Sequence, residues 1–147
     1  MIFYMEKLMC NMSKALIRDC GDVVDRLSIS QLKSERIGSD ESNREYLALT
    51  EAFIEIKNSN TNIVWDKIYS MMLEINKSIW TLEAAMKSGK ELLPNGNYLD
   101  DPKNEEVLAS IGKNAILIRN INHLRVQLKN LINATVGEGF IDNKSNH

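Results

Sequence analysis

The chain has 147 residues, 44% of them hydrophobic and 26% charged, and a formal net charge of −2. That length fits one domain able to bury roughly two-thirds of its surface, while the charge balance leaves no global field for a polyanion and disfavours nucleic acid. No run approaches the ~20 apolar residues of a membrane span, and Cys10 and Cys20 lack the CxxC or Cys/His company of a zinc site, which points to a reduced, cytoplasmic chain.

Residues 1–12 are apolar but carry Glu6 and Lys7 in their middle and lack a small-residue cleavage site, so they make a poor signal peptide. They read as an N-terminal extension outside the fold, with 13–147 as a single helical bundle domain. Residues 13–18 form a short lead-in, and Asp19 or Cys20 opens a first helix that stops at Gly38, a natural residue for a helix C-terminus. At about 100° per residue, its Asp22, Asp25, Arg26, Ile29, Lys33 and Arg36 fall in one stripe, with Val23, Val24 and Leu27 on the adjoining face. Two acids lead and three bases follow in a single file, an arrangement that a merely solvated face does not require.

Ser39 and Asp40 supply the next N-cap, and Tyr46, Leu49, Phe53 and Ile56 give the second helix a core stripe. Residues 58–62 form a polar turn. The third helix begins near Asn62 and stops by Gly89, holding Ile68, Met72, Ile75, Ile79, Leu82 and Met86 close to one line. Beside that line runs a second file of Trp65, Tyr69, Asn76, Trp80, Glu83 and Lys87. Pro94 and Asn95-Gly96 mark a turn, and Asp101-Pro102 is a cap followed by proline at the first helical position. The fourth helix runs towards Val136, with Gly112 as its one weak point. Leu117, Ile121, Leu124, Leu128, Leu131 and Ile132 are expected to form its core face, and Asn122, Arg125, Lys129 and Asn133 a polar strip beside it. Gly137 and Gly139 end it, and Phe140-Ile141 is expected to fold back before the polar tail.

Four amphipathic segments joined by short polar turns predict an all-α antiparallel bundle, with the last two helices forming a long hairpin. The exposed remainder of that hairpin is natural dimer surface, so a homodimer is expected.

Three of the four helices carry a polar file beside the core. Buried charge is costly unless paired, so these files fit either an internal salt-bridge network or a cleft for a small polar or anionic ligand. The candidate ligand-binding residues are Asp22, Asp25, Arg26, Lys33, Arg36, Asn76, Trp80, Glu83, Asn122, Arg125 and Lys129. In this reading Trp80 stacks on a ring, Asn76 and Glu83 hydrogen-bond to it, and the bases supply positive charge. The plainer reading makes Trp80 boundary core and pairs Glu83 with a neighbouring base. His123 and His147 have no metal-ligand spacing, no Ser-His-Asp set stands out and no glycine-rich phosphate loop occurs, so neither a metal nor a cofactor is expected. The enzymatic alternative is a Mg²⁺-dependent hydrolase or transferase acting on nucleotides or nucleotide sugars, with Asp22, Asp25 and Glu83 as oxygen ligands. The bases interleaved among those carboxylates would compete with the ion.

The segment Gly21-Asp-Val-Val-Asp-Arg-Leu-Ser-Ile29, followed by Lys33-Ser-Glu-Arg-Ile37, resembles the opening of a family of small bacterial helical proteins of unknown function. Members of that family begin Gly-Glu-Leu-Ile-Asp-Lys-Leu-Thr-Ile and continue with Lys-x-Glu-Arg-Ile. The family's mid-chain Asn-x3-Trp-x2-Glu pattern is matched by Asn76, Trp80 and Glu83, and its closing helix and Lys-Ser tail by Arg125, Lys129, Asn133 and Lys144-Ser145. The resemblance covers residues 13–145 and implies an all-helical fold with no assigned activity. Some members lie near glycosyltransferase genes, which implies a link to sugar metabolism. Asp22 stands where the family has Glu, and the stretch Pro94–Asp101 is longer.

Overall fold

Asp19 has extended backbone and its carboxylate accepts a hydrogen bond from the Asp22 amide at 2.8 Å, which fixes the start of helix α1, Cys20–Arg36. The computed structural model describes residues 19–91 and 102–137, so the expectations for residues 1–18, for the Pro94–Gly96 turn and for Phe140-Ile141 lie outside the described residues. At the other end of α1 the amides of Ile37 and Gly38 both donate to the Lys33 carbonyl, at 2.8 and 3.1 Å. Gly38 can close the helix this way because its φ of +68° is strained for any residue with a Cβ. Asp22 in the first turn and Lys33 and Arg36 in the last complement the helix dipole.

Ser39 caps helix α2, Asp40–Ser59, accepting from the Ser42 amide at 3.1 Å, so α1 and α2 form a hairpin across three residues. Helix α3 spans Trp65–Glu91, starting three residues later than expected and continuing past Gly89. The late start has a local cause. Trp65 belongs to the core, 5% exposed, with its indole in a T-shaped contact with Phe53 and its Nε1–H donating to the Asn60 carbonyl at 2.9 Å. Residues 61–64 are taken up by the turn that sets this anchor. Helix α4, Pro102–Thr135, passes through Gly112 without a break and ends before Gly137, whose φ is +78°.

The result is an all-α antiparallel bundle in which α3 and α4 form the long hairpin. Helix α1 packs on each of the other three. Its Val23, Val24 and Leu27 meet Phe53 of α2, Met72 of α3 and Leu128 and Ile132 of α4 in one core. At about 1.5 Å per residue the hairpin helices are ~40 and ~50 Å long against ~25 Å for α1, so they project beyond it. Among the described residues no helix is long and apolar enough to cross a membrane.

One expectation for α4 is corrected. Leu117, Leu124 and Leu131 are 48%, 54% and 60% exposed, whereas Lys129 and Asn133 of the polar strip are buried with Leu128 and Ile132. The reason is where α1 sits. Its N-terminal turn lies directly on the α4 backbone at Lys129, so closely that a Cβ on Gly21 would come within 2.5 Å of the Lys129 carbonyl oxygen. Asn133 Oδ1 accepts the Gly21 amide there at 2.8 Å. This contact turns the polar strip inward and leaves the leucines facing out.

Candidate functional site

The tight seating of α1 on α4 brings the charged file of the first against the polar strip of the second. Between them opens a cleft of about 530 Å³. Helix α1 contributes Asp22, Asp25, Arg26, Ile29 and Lys33, helix α4 contributes Asn122, Arg125, Val126 and Lys129, and Glu45 of α2 stands at the side. Ile29 and Val126 give it a small apolar wall.

Asp22 is held between two cations, with Arg26 Nε at 3.1 Å and Lys129 Nζ at 3.3 Å. Arg26 reaches it by the i, i+4 spacing within one helix. Asp25 is 5% exposed and is supported from two sides. Asn76 of α3 donates its amide to Asp25 Oδ1 at 2.9 Å and lies 2.6 Å from Ser28 Oγ, while the Ser28 hydroxyl donates to the Asp25 carbonyl. Arg125 Nε lies 3.9 Å from Asp25 Oδ2, near enough for an ion pair but too far for a hydrogen bond. That Nε–H is buried without a hydrogen-bond partner among the described residues.

Lys33 and Glu45 line the cleft and join no ion pair among the described residues. Four cationic side chains therefore face three carboxylates, an excess of one positive charge, since Asp22 is shared by Arg26 and Lys129. In a partly buried cleft such an excess favours an anion.

Seven of the eleven candidate residues, Asp22, Asp25, Arg26, Lys33, Asn122, Arg125 and Lys129, share this cleft. Asn76 lies behind it as the support of Asp25. The remaining three do not line it. The Arg36 guanidinium stacks over Trp80, 5.2 Å from the ring centroid, so that indole face is covered by the protein's own cation. Glu83, one turn further along α3, is exposed, and the ring-binding trio of Asn76, Trp80 and Glu83 is not assembled. The oxygen ligand set of the magnesium reading is not assembled either. Glu83 stands apart from Asp22 and Asp25, and among the described residues no three acids, histidines or cysteines are grouped as a metal site.

Two contributors escaped the sequence reading. Glu45 had no signal beyond its place in the first half of α2, and Asn133 was read as part of the strip without its bond to the Gly21 amide. Tyr69, expected in the polar file of α3, instead packs against Phe53 and donates its hydroxyl to Gln31. Burial, and then Tyr46 and Glu35 nearby, push its phenol well above the ordinary 10.0. No protein-family model, curated protein or solved structure matches the chain.

Proposed function

We propose that this protein is a non-catalytic helical module that binds a small polar anion in the α1–α4 cleft. The observation that carries the reading is the surplus of four cationic side chains over three carboxylates around an open, partly apolar cleft, with the Lys33 ammonium on its wall outside the Asp22 and Asp25 ion pairs. Roominess separates this reading from a purely structural one, in which the charges would close on one another and leave no cleft. The resemblance noted in the sequence directs the choice of ligand towards sugar metabolism, with phosphate-bearing sugars and nucleotide sugars as the first class to test. We propose further that the module works as a homodimer, a reading supported by the exposed leucines of α4.

The test is a thermal-shift screen against inorganic phosphate, sugar phosphates, nucleotides, nucleotide sugars and divalent cations. At a hundred times its dissociation constant a true ligand adds about 2.7 kcal/mol of stability, a shift easily read. The expected result is stabilisation by one class of anion, weakened about tenfold or more in Lys33→Ala, as loss of a charge-assisted hydrogen bond implies. Stabilisation by none of the anions, or equal stabilisation of the Lys33→Ala variant, would remove the cleft as the site. Stabilisation by magnesium alone would favour the hydrolase or transferase alternative.

A further inference from the structure

Helix α4 divides its chemistry between two faces. From Asn120 to Thr135 its ionisable side chains are His123, Arg125 and Lys129, and the two permanent cations both point into the cleft. The outward face carries Ile116, Leu117, Asn120, Leu124, Gln127 and Leu131, all exposed, and no charge among them. Ile116 and the three leucines are between 48% and 62% exposed. The leucines recur every seventh residue, which keeps them on one seam for a packed helix pair, whereas an outward face with no partner ordinarily carries charge.

We infer that this face docks on the same face of a second copy of the chain, with the two α4 helices antiparallel and Leu124 at the two-fold axis. This specifies the surface of the homodimer proposed above and rests on that reading, independently of the cleft. An isologous pairing suits the stripe from Ile116 to Leu131, where the copy presents no charge against it. The direction follows from the ends of the stripe. Lys113 lies in the same seam, and α4 has no basic residue in its last turn to meet its C-terminal carbonyls. Antiparallel docking about Leu124 sets Leu117 against the second copy's Leu131 and Lys113 against the end of the second copy's α4, where a cation is favoured. A parallel pairing would set the two Lys113 side chains against each other. The seam from 113 to 135 is about 33 Å long, and one helix face per copy falls near the lower end of stable interfaces, ~1,200 Å² in total.

The experiment is light scattering after size exclusion on the full chain over about two decades of concentration in the micromolar range, where an interface of this size is expected to dissociate. The expected mass is twice 16.7 kDa at the upper concentrations. Leu124→Glu is expected to give a monomer, and Gln127→Glu, a milder change at an already exposed position, to raise the dissociation constant at least tenfold. Leu47→Glu, on the exposed side of α2, is expected to leave the dimer intact. Lys113→Glu is expected to weaken the dimer, and an unchanged constant would overturn the antiparallel direction. Circular dichroism checks that each variant keeps its helices. A monomer at every concentration would overturn the dimer itself. A dimer indifferent to both Leu124→Glu and Gln127→Glu would keep the homodimer and overturn this surface.

Discussion

Gly21 and Asn76 are the two residues whose replacement should disturb the site most at least change in size. Adding one methyl at Gly21 drives a Cβ against backbone, not a side chain that can swing away, so Gly21→Ala should cost about 1–3 kcal/mol. Gly112 has nothing within 4 Å of its would-be Cβ and stands inside α4, so Gly112→Ala should stabilise by about 0.5–1 kcal/mol. Urea unfolding of the two variants beside the parent reads both signs in one experiment. Asn76→Ala leaves Asp25 Oδ1 buried without its donor and should cost about 1–3 kcal/mol. The same measurement checks it, and a neutral result would mean that water replaces the amide. Little of this was legible beforehand. Asp25 and Asn76 could each be placed on a polar file, but a hydrogen bond between residues 51 positions apart depends on how two helices cross, which no local pattern encodes.

At the scale of the element, the ends of α1 and the start of α2 were readable because capping is local chemistry: Asp19, Gly38 and Ser39 each act within a few residues of themselves. The facing of α4 was not. Its leucine stripe and its Asn122–Arg125–Lys129–Asn133 strip offer two plausible inward faces, and burial by α1 selects the polar one. The general preference of leucine for the interior pointed the other way. Trp65 likewise carries no mark that separates a core anchor from a site aromatic until Phe53 and the Asn60 carbonyl are in place around it. Helix α3 also holds the group with the clearest pH signature. Tyr69 resists ionisation in the fold, while in the unfolded chain it titrates near its ordinary 10.0. The folded state thus keeps the proton that the unfolded state gives up, so stability is unaffected well below that value and falls as the pH rises through and beyond it. Denaturant midpoints measured from about pH 8.5 to 11 should decline, and Tyr69→Phe should flatten the decline; an equal slope in the variant would assign the loss to other groups.

For the molecule as a whole, the division of labour follows from the length of the helices. The short α1 covers only part of the α3–α4 hairpin, closing the core where Val24 and Met72 are fully buried and leaving the cleft at its flank. Every charged side chain of α4 beyond Arg119 is committed to that cleft, and the uncharged outer face is what remains for a second copy. A cleft and a docking face on opposite sides of one helix predict that ligand and dimer are compatible, so the ligand that stabilises the parent should also stabilise the monomeric Leu124→Glu variant. The ionisable residues of α1 and α4 are expected to act together as one anion-holding site. Following the side-chain Nε–H resonances of the arginines by NMR while inorganic phosphate is added at constant ionic strength would measure this. Saturable shifts at Arg26 and Arg125, with Arg44 and Arg119 unmoved on the open surface, are the predicted result. Small, unsaturated shifts shared equally by all four would contradict it.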